Sequence, residues 1–378
     1  MDISAFRSPV RLLEGVKVLD LSILGPGAVG GFLVDLGADV TKIESPAGDY
    51  VRQMTWPIIN TDDGPLSLMH LHLNRGKQFL TLDMKTDEGR QQFASMVTDA
   101  DVVIEGMRPG FLDRIGFGVD RLRELNPRIV VCSISGYGAT GPYRNLPSHG
   151  VAYDAWAGVV APVLDEQGFC HIPNQVNVGI TAGPAFAALA ICAALVRART
   201  TGEPASFEIA QSDAAAYFDW YRIETERAYT RPQSEVTGNA SDGHERRGAG
   251  LGGMWEGVRY QFYESADGHV LFMASEQSFW RNFCEGIGRT DLFDRWPGST
   301  YADHARGNVE LQTELRAIFR TRTTAEWLSF ADQHNTTISP ANTPASLADD
   351  PQFAARMQWV GREELGCEQL AFPLHVND

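Results

Sequence analysis

Strand-length runs of Val, Ile and Leu alternate with helical periodicity through the first 135 residues, and no other feature limits the fold so tightly. The strand signals lie at residues 16–22, 40–44, 79–84, 102–105 and 129–134. Helical spacing of apolar residues fills several of the gaps, at 88–97 and 119–125. Nearly continuous apolar strands are buried on both faces, and helices between them impose parallel, right-handed crossovers. The spacing therefore predicts an α/β chain built on a doubly wound, Rossmann-like parallel sheet. A further long helix is expected over 182–199, with Arg197 and Arg199 suited to its negative end and Gly202 just beyond.

A chain of 378 residues exceeds one ordinary core. Its character changes near residue 225. Residues 237–257 hold seven glycines and cannot form one regular element. Beyond them, 260–264 and 270–274 flank a turn at 265–268 and read as a hairpin. Helical runs follow at 277–286, 309–320 and 325–333. The expected division is a large domain over 1–224, a smaller α+β domain over 225–340, and a segment over 341–378 returning to the large domain.

Composition excludes several functions. Forty-eight acidic against 32 basic residues give a net charge of −16, a field that repels nucleic acid and anionic membrane. The longest nearly apolar run, 182–196, contains Pro184 and is shorter than a bilayer span. Residues 1–15 lack the apolar stretch of a secretory leader. Five cysteines without a CxxC pair fit a reduced, cytoplasmic protein. His70 and His72 alternate without a third ligand, so no metal is expected.

Gly25-Pro-Gly27-Ala-Val-Gly30 is a literal G-x-G-x-x-G between a strand and a helix, and Glu44 ends the next strand, near where a ribose-binding acid would lie. Two readings stay open: a seat for NAD, as in an oxidoreductase, or a tight strand–helix turn. No His, Tyr or Lys constellation for hydride transfer can be placed.

Several segments, taken in order, carry a wider resemblance: LLEGVKVLDLS (12–22), FLVDLGADVTKIESPAGD (32–49), NRGKQFLTLDMKTDEGR (74–90), the stretch from ADVVIEGMRPGF to SISGYGATGPY (100–143), and YESADGHVLFMASEQSFW (263–280). Together they resemble the class III CoA-transferase family (CaiB/BaiF type), which includes formyl-CoA transferase and α-methylacyl-CoA racemase. The resemblance implies a Rossmann-like large domain, a smaller domain, and a homodimer of interlocked rings. It also implies coenzyme A or acyl-CoA and carboxylic acids as small-molecule partners, with no metal. Coenzyme A carries several phosphate charges, so an acidic protein must focus positive charge locally. Lys42, Arg75, Lys77, Arg108 and Arg114 lie in the matching segments, as do Gly136 and Tyr137; all are candidate cofactor contacts.

Transferases that this chain resembles use an aspartate to attack the thioester, because an acyl anhydride exchanges partners reversibly. The matching stretch here is Val178-Gly179-Ile180-Thr181, so isoleucine stands where that aspartate would be. Asp154, Asp165, Glu208 and Asp213 are nearby in sequence but do not fit the motif; Asp154 is kept as a catalytic candidate. Racemases of the family pair the aspartate with a histidine, which falls where this chain has His149, and Glu276 also looks racemase-like. Three readings follow: CoA transfer between acids with a carboxylate from elsewhere, a racemase-like enzyme using His149, or a non-catalytic subunit of a heteromer whose homologous chain supplies the acid. The segment GAGLGG (248–253) is a candidate lid over the thioester.

Overall fold

The structure is a computed structural model that describes residues 3–61, 64–240, 243–249, 254–299 and 304–376. Two compact units emerge, Met1–Asp219 with Met357–Asp378, and Trp220–Arg356. The divisions fall at 219/220 and 356/357 rather than 224/225 and 340/341. A strand at Ile338–Pro340 pairs inside the second unit, and two short helices after it stay there.

The first unit holds six parallel strands: β1 (Lys17–Asp20), β2 (Asp39–Glu44), β3 (Gln78–Thr81), β4 (Val102–Glu105), β5 (Val130–Ser135) and β6 (Ser206–Ala210). Their spatial order is β3-β2-β1-β4-β5-β6, the doubly wound order that the alternating pattern predicts. Val18 stands opposite Val40 on one side and Val102 on the other, which fixes the register at the centre.

The strands read as unbroken apolar runs because both faces are covered. On one face Val18, Val102, Ile104 and Val130 pack with Val29 and Leu33 of α1 (Ala28–Asp35). A long helix packs there too. On the other face Leu19, Val103 and Val131 pack with Phe93 and Val97 of α3 (Asp87–Val97) and Leu122 of α4 (Val119–Leu125). Between α1 and α3 in the chain lies α2 (Leu68–Asn74), whose first turn is capped by Ser67 Oγ accepting from the His70 amide. Each fully buried side chain of this kind contributes roughly 1.5–3 kcal/mol.

Three more helices of the unit matter for the site: α5 (Val151–Trp156), α6 (Gly179–Thr201) and α7 (Gln211–Phe218). By length and composition α6 could cross a bilayer, which the 15-residue reading of its apolar run did not anticipate. Here Ala187, Ile191 and Ala198 of α6 sit in the sheet's core, while Leu189 and Val196 face outward. The outward face continues onto α7 through Tyr217 and Phe218.

The second unit is α+β, as the later sequence signals imply. Antiparallel strands β7 (Tyr260–Glu264), β8 (His269–Met273) and β9 (Ile338–Pro340) form its sheet. Helices α8 (Gln277–Gly286), α9 (Val309–Phe319) and α10 (Thr324–His334) close an aromatic core of Phe272, Trp280, Phe283, Phe319 and Trp327. Both buried indoles are satisfied: Trp280 donates to the Trp296 carbonyl and Trp327 to that of Phe319, each at 2.8 Å.

Candidate functional site

The carboxyl ends of β1, β4, β5 and β6 open into a cavity of about 600 Å³. In a doubly wound sheet this is the crevice where strand order reverses, here between β1 and β4, and where ligands bind. Leu24–Pro26 follow β1, Gly106–Pro109 follow β4, Gly136 and Tyr137 follow β5, and Gln211 follows β6. Arg108 and Arg144 line it, and both are exposed. A second cavity of about 620 Å³ lies beside α1 and α2. Ala28, Phe32, Met54, Met69 and Leu73 supply its apolar lining. The two share a wall made by Leu24, Gly25, Tyr50, His149, Gly150 and Ile180.

That wall is built with local strain and a buried polar group. Leu24 is held at φ +53°, a region L-residues rarely occupy, so the turn after β1 is over-determined by its surroundings. Gln211 is only 2% exposed, and its side-chain oxygen has no hydrogen-bond partner among the described residues. A sealed amide oxygen of this kind is costly unless something donates to it. Sequence reasoning missed Gln211; its one signal is its place at the end of a strand. Ile180 occupies the first turn of α6.

The candidates from sequence separate into three groups. His149, Arg108, Gly136 and Tyr137 come together around the first cavity, with His149 on the shared wall. Arg114 does not line it; its guanidinium donates to the Pro109 carbonyl at 2.8 Å and so shapes the loop that carries Arg108. Glu276 belongs to the second unit, exposed just ahead of α8.

Lys42, Arg75 and Lys77 are a correction. All three are buried and spent on internal carboxylates, so none can reach a phosphate. Lys42 pairs with Asp49 at 3.0 Å and donates to the Ser22 carbonyl at 2.6 Å. Lys77 donates to Asp20 at 2.8 Å, the Gly27 carbonyl at 2.7 Å and Asn74 at 3.1 Å. Arg75 grips Asp35 through two bonds, at 3.1 and 2.7 Å, and donates to Gln369 at 3.1 Å.

Asp154 is also corrected, from catalyst to cap. It is fully buried on α5, and its two oxygens accept from the Val178 and Gly179 amides at 3.0 and 2.7 Å. These are donors that the start of α6 leaves without helical partners. Asp154→Ala is expected to destabilise the protein by about 2–4 kcal/mol, since it strands two amides, one buried and one partly buried. Thermal unfolding checks this; an unchanged midpoint would remove the cap assignment.

The dinucleotide reading loses its two supports. Gly30 is required by packing: a Cβ there would lie 2.5 Å from Asp20, inside the buried Asp20–Lys77 pair. Glu44 is clasped by Arg52 at 2.9 and 3.0 Å, so it offers no free oxygen to a ribose. His70 is buried beside Arg52, and burial first, then that guanidinium, pushes it down to about 3. Among the described residues no group of His, Cys, Asp and Glu is placed to hold a metal. Residues 250–253 of the candidate lid lie outside the described residues.

Among the described residues, neither cavity offers an available carboxylate. No Asp or Glu lines the first, and the only one lining the second, Asp35, is closed by Arg75.

Comparison with known proteins shows what the chain resembles as a whole. The sequence profile of CoA-transferase family III matches residues 13–378. The probable fatty acyl-CoA transferase Rv3272 of Mycobacterium tuberculosis is 29% identical over 352 residues, covering 92% of this chain and 86% of that protein. Its crystal structure superposes with a TM-score of 0.76 at 25% identity, over 98% of this chain and 94% of that one. The formyl-CoA:oxalate CoA-transferase of Streptomyces avermitilis is 30% identical, covering 91% of this chain and 84% of the relative. The succinyl-CoA:(R)-benzylsuccinate CoA-transferase subunit BbsE of Thauera aromatica is 27% identical, covering 91% and 82%.

Proposed function

This chain belongs to CoA-transferase family III, and from that premise we propose that its two cavities hold one acyl-CoA across their shared wall. The observation that carries the reading is the position of Ile180 and His149, between a cavity flanked by guanidinium groups and an apolar one. The first cavity takes the coenzyme, with Arg108 and Arg144 as its phosphate contacts. Arginine's planar fork suits phosphate, and both groups are free of the internal ion pairs that hold Lys42 and Lys77. The thioester then lies at the wall.

The activity of the family is transfer of CoA between acids. Supporting a divided site is the want of an available carboxylate in either cavity, together with a relative named as one subunit of a transferase. We read this chain as the coenzyme-binding partner of a homologous chain that brings the acid. The outward apolar face of α6 and α7, with Leu189, Val196, Tyr217 and Phe218 exposed, favours association with a second chain, identical or homologous. Light scattering on protein purified from its native host reads the assembly directly.

Arg108→Ala is expected to weaken CoA binding by about 1.5–3 kcal/mol, the scale of a lost charged hydrogen bond. Calorimetry with free CoA tests it, and undiminished affinity would take Arg108 out of the site. One observation favours a second reading: His149 lines both cavities, and its imidazole makes no hydrogen bond among the described residues. Such a base could remove the α-proton of an acyl-CoA. Deuterium uptake from heavy water, lost in His149→Ala, would select that reading over transfer.

A further inference from the structure

The acyl group is not settled by family membership, because relatives are named both for fatty acyl groups and for dicarboxylic acids. The second cavity bears on it directly. It is as large as the one assigned to the coenzyme, at about 620 Å³, and far exceeds what a formyl or acetyl group fills. Phe32 of α1, Met69 and Leu73 of α2, and Met54 all line it. Methionine at two of these positions gives a lining that adapts to chain shape.

What the lining lacks is equally informative. No lysine or arginine is among the residues that line it, whereas the first cavity has Arg108 and Arg144. Asp35 is its one carboxylate, and both Asp35 oxygens are taken by Arg75. His72 lines it as well, and its Nδ1 lies 2.9 Å from the Arg75 guanidinium. A guanidinium can only donate, so that nitrogen accepts and the ring is neutral. A carboxylate entering this space would lose its water and meet no cation, and charges transferred in that way are strongly disfavoured. Each methylene buried, by contrast, raises affinity roughly fourfold.

Resting on the placement of the thioester at the shared wall, we propose that the second cavity is an acyl pocket for aliphatic monocarboxylic acids, and that it excludes acyl groups bearing a second carboxylate. Met69 on α2 is the specificity-determining position, because it lines the cavity and is only partly covered, so that an arginine there would bring the cation the lining lacks.

The test is titration calorimetry of the protein, in the assembly in which it purifies, with free CoA, hexanoyl-CoA and succinyl-CoA. Hexanoyl-CoA is expected to bind at least about tenfold more tightly than either of the others. Met69→Arg is expected to reverse the order of the two acyl-CoAs while leaving free CoA unchanged, with circular dichroism confirming the fold. If that variant does not fold, the comparison on the unsubstituted protein decides alone. Succinyl-CoA binding as tightly as hexanoyl-CoA would overturn the acyl assignment and leave the coenzyme site standing. No binding of free CoA would overturn the coenzyme site, and the acyl pocket with it.

Discussion

Ile180→Asp is expected to give this chain, by itself, a covalent acyl-transfer step at position 180. Position 180 lies on the wall shared by both cavities and in the first turn of α6, where backbone N–H groups favour an anion. Space is available. A Cβ on Gly25 would come within 3.3 Å of the Ile180 Cβ, so the glycine leaves that flank open, and aspartate is smaller than isoleucine. The introduced carboxylate would attack the thioester carbonyl, the C–S bond would break, and CoA thiolate would leave with its electron pair. Return of the thiolate to the aspartyl carbonyl would give an aspartyl thioester and release the acid.

Hydroxylamine traps that thioester as a hydroxamate, so peptide mass spectrometry after incubation with hexanoyl-CoA reads the outcome. The expected rise in trapped product is on the order of 10³-fold or more, the scale on which losing a nucleophile is felt. Trapping at position 180 only in the variant supports a chain that relies on a partner's acid. Trapping at any residue of the unsubstituted chain would place the carboxylate elsewhere in it and end the divided-site reading. A folded variant that binds CoA but traps nothing would show that position 180 does not face the thioester.

The sheet was legible because burial on both faces leaves an unbroken apolar signature at β1, β2, β4 and β5. The sixth strand escaped notice because it is an edge: Ser206–Ala210 alternates exposed and covered residues, and it pairs with a strand on one side only. The site was harder to read. Arg108, Tyr137 and His149 stand on loops between elements, where periodicity has no purchase, and it was the family resemblance that put them forward. Charge misled for a physical reason. A lysine in linear sequence carries no mark of its burial, yet Lys42 sits inside the apolar strand VTKIE, one strand away from Asp20 in VLDLS. Opposite charges on neighbouring buried strands point to an internal network, and that pattern was readable. The partnership of Asp154 with the start of α6 spans 24 and 25 residues and depends on helix geometry that spacing does not reveal.

That internal network yields the largest expected effect on stability. Lys77→Met is expected to destabilise the first unit by about 3–5 kcal/mol near neutral pH, the cost of leaving one member of a buried ion pair behind. Asp20 is fully buried. Burial works to raise its pKa, but Lys77 and Lys42 outweigh that, so the carboxyl is held below its ordinary value. Lys77 is driven the other way: burial pushes its ammonium down to about 8 while Asp20 pulls it back up, so the pair is ionised at neutral pH. Removing Lys77 takes one charge and one hydrogen bond from Asp20 and leaves Lys42, itself shared with Asp49. In the variant the Asp20 carboxyl should therefore rise above its unfolded value. A raised carboxyl destabilises the fold fully above its folded pKa, and the penalty fades as pH falls from there to the unfolded value, so the deficit should shrink as pH falls from 7.5 towards 5. Thermal unfolding at both values measures this, with a drop of roughly 10 °C expected at the higher pH. Asp20→Asn combined with Lys77→Met should recover much of the loss, because the stranded charge is then gone. A double variant as unstable as the single one at every pH would show that packing around Lys77, rather than its charge, holds β1 and α1 in place.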